Sequence, residues 1–249
     1  STRIVQILLI VLTCGLIAFL FFNGRNNSTA LAQSGKKSEP GSLSSPQSAF
    51  NFALLESDVT AKLKEPDSKT VASLKENVKT NPQSVQALTA LAREFEDLKQ
   101  PALAGHYYKD ASDLDPHTAA LLFGTGKNFF ETQQLVNDSA SYAYFVYLSS
   151  EALDKVLTKD PMNLEAKADQ AVNYIEGKGE PMKGVGLLRE IIQVDSNNRK
   201  ALFYLGVLSM QSNQLDKAVE RFQKLISLGP DKNDLNYPYY LIYLWQIYM

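Results

Sequence analysis

Residues 84–118 read SVQALTALAREFEDLKQPALAGHYYKDASDLDPHT. Leu88, Leu91, Ala92 and Phe95 fall at i, i+3, i+4 and i+7, which is one face of an amphipathic helix. Ala104, Tyr108 and Ala111 form the matching stripe of a second helix. The small Ala92 and Ala104 let the two backbones approach closely. Pro116 stops the second helix and opens the next, where its missing N–H costs nothing. The unit recurs. Pro82 follows Asn81, Pro116 follows Asp115, Pro161 follows Asp160 and Pro230 follows Gly229, at spacings of 34, 45 and 69. The last spacing holds two periods, with Ser196 standing where the intermediate proline would be. A period near 34 residues describes helix pairs that cannot bury their own apolar faces and must stack.

Leu88, Leu91, Ala92, Phe95, Ala104, Tyr108, Ala111 and Pro116 occupy the eight signature positions of the tetratricopeptide repeat (TPR), and residues 83–249 resemble that family. The resemblance implies an all-α solenoid of helical hairpins, about four and a half units long, wound as a right-handed superhelix with a concave groove. A second clear unit, Lys200–Pro230, matches at Leu202, Leu205, Gly206, Ala218, Phe222, Leu225 and Pro230. Ser209 replaces the usual aromatic there, which should loosen that pair. Between these units Leu122, Gly126 and Phe129 begin a repeat that Leu153, Val156 and Pro161 end. Its eleven extra residues fall around Leu135–Tyr147 or lengthen both helices. Ala168, Ala171, Ile175, Leu188, Ile191 and Ser196 make a third unit, with a Gly-rich turn expected at Gly177–Gly186. Residues 49–82 read as a degenerate N-terminal helix pair capping the stack, with Asp58 where a small residue is usual.

The amino-terminal part differs in kind. After a short tail at 1–3, residues 4–22 read IVQILLIVLTCGLIAFLFF, with no charge. As a helix this run reaches roughly 28 Å, near the ~30 Å of a bilayer's hydrocarbon, and reads as a single transmembrane anchor. It is longer than the apolar run of a cleavable signal peptide, and Ala30-Leu31-Ala32 lies too far beyond it for a cleavage site. Cys14 reads as a small apolar residue of the anchor, since polar sequence does not follow it as in a lipoprotein. Residues 23–48, rich in Ser, Asn, Gly, Pro and Gln, read as a flexible tether. The basic head before the apolar run resembles a signal-anchor and places the solenoid outside the cytoplasm, in the periplasm of a bacterial inner-membrane protein. The flanking charges alone leave the cytoplasmic orientation open. The architecture is similar to that of the anchored TPR proteins of bacterial envelopes.

Charge divides along the same line. Arg3, Arg25, Lys36 and Lys37 against Glu39 leave +3 in residues 1–50, and 21 basic against 26 acidic residues leave −5 in 51–249. A mildly acidic solenoid with no basic face does not point to nucleic acid. A single cysteine excludes an internal disulfide or a Cys-based zinc cage, and His106 and His117 have no second ligand at metal spacing. The expectation is no metal and no cofactor. Gly124-Thr125-Gly126-Lys127-Asn128 imitates part of a phosphate loop but has Leu121 and Asn128 where the full motif needs Gly and Ser or Thr. No catalytic constellation stands out, so the chain reads as a non-enzyme.

Function therefore falls to surfaces. Ligand-facing residues of the resembled family come from the first helix of each pair. By position these are Thr89, Arg93, Glu96, Phe123, Lys127, Phe130, Asp169, Asn173, Phe203 and Met210. Arg93 and Lys127 would anchor carboxylates, and Phe123 and Phe130 would cover apolar side chains of an extended peptide. Phe123 and Phe203 read equally well as superhelix packing. Residues 237–249, YPYYLIYLWQIYM, carry no charge. They read either as the first helix of a fifth repeat or as a docking surface, through Tyr239, Tyr240, Tyr243, Trp245 and Tyr248, for a partner or the membrane interface. The leading functional reading is a membrane-anchored scaffold or adaptor within a membrane complex. The alternative is a peptide or chaperone-like receptor that uses the groove. Partners are expected to be proteins or peptides, with the lipid bilayer held through residues 4–22.

Overall fold

The computed structural model describes residues 50–230 and 237–249, so the anchor and tether expected at 4–22 and 23–48 lie outside the described residues. Among the described residues no helix is long and apolar enough to cross a membrane. Those residues form eleven α-helices: α1 (Phe52–Lys62), α2 (Asp67–Thr80), α3 (Val85–Asp97), α4 (Pro101–Leu114), α5 (Ala119–Gln133), α6 (Ser139–Lys159), α7 (Leu164–Val172), α8 (Pro181–Val194), α9 (Arg199–Gln211), α10 (Leu215–Ser227) and α11 (Tyr237–Tyr248). There is no strand among them.

Local chemistry sets the helix ends. Ser84, Asp138, Asn163 and Asn198 each accept a backbone N–H of the first turn at 2.8–3.2 Å, as N-caps do. Pro101 and Pro181 stand at the starts of α4 and α8, where proline is preorganised. The turns inside three of the pairs reverse through a residue at positive φ: Lys99 at 58°, Gly179 at 66° and Asn213 at 56°. Lys99 and Asn213 donate their N–H to the Glu96 and Met210 carbonyls at 2.9 and 3.0 Å, the left-handed C-cap geometry.

Packing runs along the chain. From α2 onward each helix rests on its neighbours, while α5 also meets α7, and α7 meets α9, so the first helices of successive pairs line one face. The signature residues form the cores. Leu91, Ala92, Phe95, Ala104 and Ala111 are fully buried, and Tyr108 and Leu88 nearly so. Gly126 and Gly206 mark close approaches within two of the pairs: a Cβ on them would stand 2.8 Å from Leu153 and 2.9 Å from Phe222. The phosphate-loop fragment thus lies wholly inside α5, with its glycines used for packing.

Three expectations change. The eleven extra residues do not form a loop across 135–147; they lengthen both helices and the link, α5 to 15 residues against 13 in α3 and, for the most part, α6 to 21 against 14 in α4. The added turns carry Phe145, buried with Phe129, and receive Phe50 and Phe52 from the start of the described chain at ring distances of 4.7 and 6.2 Å. Helix α1 accordingly lies across α4, with Leu55 and Val59 joining the cluster of Val71, Phe95 and Leu103. The Gly177–Gly186 stretch is not one turn. Helix α7 passes into a π-helical turn, Asn173–Gly177, closed by Lys178 N–H on the Asn173 carbonyl at 2.8 Å, and Gly184 and Gly186 belong to α8. Finally, Ser209 does not leave a gap. The Arg221 guanidinium of α10 reaches back to the buried Ser209 hydroxyl and to the Leu205 carbonyl, filling the aromatic's place with a polar clamp.

Candidate functional site

The face shared by α3, α5, α7 and α9 carries a row of polar side chains that bridge from one first helix to the next. Glu96 of α3 accepts from Asn128 of α5 at 2.7 Å. Lys127 of α5 faces Glu165 of α7 at 3.8 Å. Lys200 of α9 binds the Asp169 carboxylate of α7, and its ammonium stands 4.4 Å from the centre of the Phe130 ring. These links are possible because positions four apart on each helix share one side, and the pairs stack with those sides in line.

Electrostatics varies along the row. At one end Tyr108 donates to Glu96 at 2.8 Å, and the Arg93 guanidinium sits beside the same hydroxyl. Burial and the Glu96 charge together push the Tyr108 hydroxyl up to about 12, with Arg93 opposing. At the other end burial raises the Asp169 carboxyl above the ordinary aspartate range, and the Lys200 ammonium counteracts it. Burial likewise raises Glu131, opposed by Lys127. The Lys127–Glu165 pair is long and half exposed, with both side chains open to water (39% and 59%), so it contributes little and can exchange partners.

Several residues expected in a groove serve other purposes. Asn173 is fully buried: it accepts from Gln133 at 2.8 Å and donates to Ser149 at 3.1 Å, while Ser149 donates to the Gly126 carbonyl at 2.9 Å. That network ties α5, α6 and the π turn together. Asp169 is buried beneath Lys200. Phe130 is buried, and Phe123 is half-buried against Leu122, Leu153 and Val156. Phe203 and Met210 pack in the last core under α11, with Phe203 5.8 Å from Tyr240 and 6.0 Å from Tyr243. Thr89 bonds its own helix at Val85. Arg93, Glu96 and Lys127 are the expected residues that the structure brings onto the open face. Sequence reasoning passed over Asn128, Glu131, Glu165 and Lys200, which complete the row. Lys200 lies 31 residues beyond Asp169, close to one repeat period, and that spacing was the available signal.

The five aromatic residues singled out on α11 divide. Tyr240 is buried on Leu202, Ala218, Phe222 and Leu225, and Tyr243 stacks on Phe222 at 5.2 Å. Tyr239, Trp245 and Tyr248 remain exposed. His106 lies under the Phe52 ring at 4.6 Å, and His117 donates its backbone N–H to Asp115 at 3.1 Å in a turn. Among the described residues no cluster of three or more His, Cys, Asp or Glu is arranged to hold a metal ion.

No protein-family model matches the sequence. Solved structures do resemble it. MamA (41 to the end) of Desulfovibrio magneticus RS-1 matches at a TM-score of 0.55 and 16% identity, covering 73% of this chain and 97% of that one. A thermophilic TPR protein of Thermus thermophilus matches at 0.53 and 18%, covering 77% and 96%. PilW, a widely conserved type IV pilus biogenesis factor, matches at 0.52 and 18%, covering 80% and 86%. At these identities the likeness speaks for fold alone. The stacked helix pairs, the signature core and these neighbours agree that the chain carries a tetratricopeptide-repeat fold.

Proposed function

We propose that this protein is a non-catalytic scaffold, anchored in the membrane through residues 4–22 and tethered by 23–48, that holds partner proteins on its TPR face within a membrane-associated complex. One observation carries the reading: a polar row, of mixed sign and four helices long, stands on a stack of packed pairs. Its charges are held on helices rather than loops, which presents a partner with preorganised complementary groups. The uncharged run at 4–22 supports the anchor, and the basic head supports a periplasmic solenoid. The test is purification in mild detergent. The protein should come down with a defined set of membrane-complex subunits, and Arg93→Glu combined with Lys127→Glu should release them without unfolding the stack. Purification of the wild type without any other subunit would overturn the reading.

A second reading, a receptor for extended peptides, draws on Lys127. Its long pair with Glu165 leaves an ammonium that can turn to a peptide carboxylate beside the half-buried Phe123. Under that reading, isolated acidic peptides bind the protein alone, and the same double substitution abolishes binding. Peptides that bind the variant equally well would remove the face from consideration.

A further inference from the structure

Helix α11 can be placed in register with α9 by what each one packs against. On α9, Ala201, Tyr204, Leu205 and Leu208 meet the preceding pair. On α11 the same i, i+3, i+4, i+7 stripe is Tyr240, Tyr243, Leu244 and Ile247, seated on the α9–α10 pair. With these stripes superposed, Leu241, Trp245, Tyr248 and Met249 fall where α9 has Leu202, Gly206, Ser209 and Met210. On α9 that second stripe is covered by α10: Phe222 lies against Gly206, and a Cβ on Gly206 would meet its ring at 2.9 Å. On α11 the equivalent stripe is open, with Leu241 58%, Trp245 55%, Tyr248 68% and Met249 88% exposed.

The residue at the closest-approach position decides what can cover it. Gly126 and Gly206 let a second helix of the same repeat lie against the first. Trp245 stands at that position on α11, so a repeat's own second helix cannot approach at the usual distance. The stripe has no charge, and neither does the rest of the helix. A helix lying on an anionic lipid surface carries Lys or Arg along its polar side, and α11 offers none. The four exposed side chains of the stripe present roughly 550 Å² of mostly apolar surface, towards the upper end of what a monomer ordinarily shows. That approaches the ~800 Å² per partner of a stable interface.

We propose that the open stripe of α11 is an isologous dimer interface, on which two copies of this chain pack α11 against α11 about a two-fold axis passing near Trp245. A stripe without charge meets its own copy with no like-charge opposition, and a central Trp is the residue type that most often anchors such a contact. Residue 245 then meets its own counterpart across the axis.

The test uses the full chain in detergent, with mass measured by sedimentation. Wild type should sediment as a dimer. Trp245→Lys and Trp245→Asp should each be monomeric, with self-affinity weakened at least ~30-fold, the loss expected of a central aromatic anchor. An equimolar mixture of the two variants should recover dimer, because an ammonium and a carboxylate then face each other. Both side chains project into solvent, so folding should survive; an unchanged far-UV spectrum checks this, and Leu241→Asn serves as a milder second variant. A monomeric wild type would overturn the proposal, as would variants that dimerise as well as wild type or a mixture that stays monomeric. Trp245 is the only tryptophan in the chain. If its emission shifts on adding neutral lipid vesicles while the mass stays monomeric, the stripe belongs to the membrane interface and the dimer is wrong.

Discussion

Two glycines that sit two positions apart on α8 should respond to the same substitution with opposite sign. A Cβ on Gly184 would stand 2.4 Å from the Ala171 carbonyl oxygen and 2.5 Å from Ile175 Cγ1, whereas a Cβ on Gly186 would meet nothing within 4 Å. Ordinary van der Waals contact begins near 3.4 Å. The Ala171 oxygen belongs to the α7 backbone and cannot rotate away. Gly184→Ala therefore forces α8 off α7 by about 1 Å, the difference between 3.4 and 2.4 Å, and loosens the core of Ala168, Ala171, Leu188 and Ile191. Overpacking of this kind costs ~1–3 kcal/mol, against ~1 kcal/mol gained from alanine's better helix propensity. Because backbone must move, the upper half of the overpacking range applies, and the expected net is a loss of roughly 1–2 kcal/mol. Gly186→Ala gains the propensity alone, about 1 kcal/mol. In a domain of this size each kcal/mol moves the melting temperature by ~2–4 °C, so the two variants should differ by roughly 5–10 °C. Urea unfolding followed by circular dichroism provides the assay, with midpoints compared at unchanged slope. Gly184→Ala as stable as wild type would refute the close α7–α8 contact, and a destabilised Gly186→Ala would refute the open site beside it.

Other consequences follow from the same geometry. Lys99 holds a left-handed backbone at φ 58°, so Lys99→Gly should stabilise the fold by about 1 kcal/mol in the same assay, while Lys99→Ala should not. Arg221→Ala strips the buried Ser209 hydroxyl and the Leu205 carbonyl of a donor and should cost ~1–3 kcal/mol; adding Ser209→Ala should return part of it in a double-mutant cycle. Tyr107 and Tyr108 both ionise late, because burial and their bonds to Glu56 and Glu96 disfavour the phenolate. The folded chain thus holds these protons when the unfolded chain has released them, so stability should fall as pH rises from about 10 towards about 12. Alkaline unfolding should shift to higher pH in Tyr108→Phe, and an unchanged transition would count against the buried hydroxyl.

The repeat cores were legible because they depend only on period and size. Leu88, Leu91, Ala92, Phe95, Ala104, Tyr108 and Ala111 keep one spacing through the helix pair, and every one of them is buried. The face was legible at Arg93, Glu96 and Lys127 for the same reason. Asp169 and Asn173 share the helical side of those residues yet are buried: Lys200 of α9 covers Asp169, and α7 is short and ends in a π turn that draws Asn173 inward to Gln133 and Ser149. Helical periodicity carries no signal for that change of pitch. Ser209 could not be read from its own helix either, since its partner Arg221 arrives from α10. For Phe203 the packing alternative holds, and Met210 was misplaced, because their cover, α11, joins the stack out of step with the preceding repeats. Tyr240 takes the place of Ala201 at a separation of 39 residues, five more than the 34 set by the prolines. The division of α11 into a buried and an open stripe depends on that same shift.

The central claim is that a partner sits on the row from Arg93 to Lys200. Site-specific photo-crosslinking in intact membranes tests this most directly, with the reactive group placed at Glu131, exposed on first helix α5, and, for comparison, at Lys155, which is exposed on second helix α6. A discrete crosslinked protein from position 131 that is absent from position 155, and that is lost with Arg93→Glu and Lys127→Glu, is the predicted result. Crosslinking from 155 with none from 131 would contradict the claim.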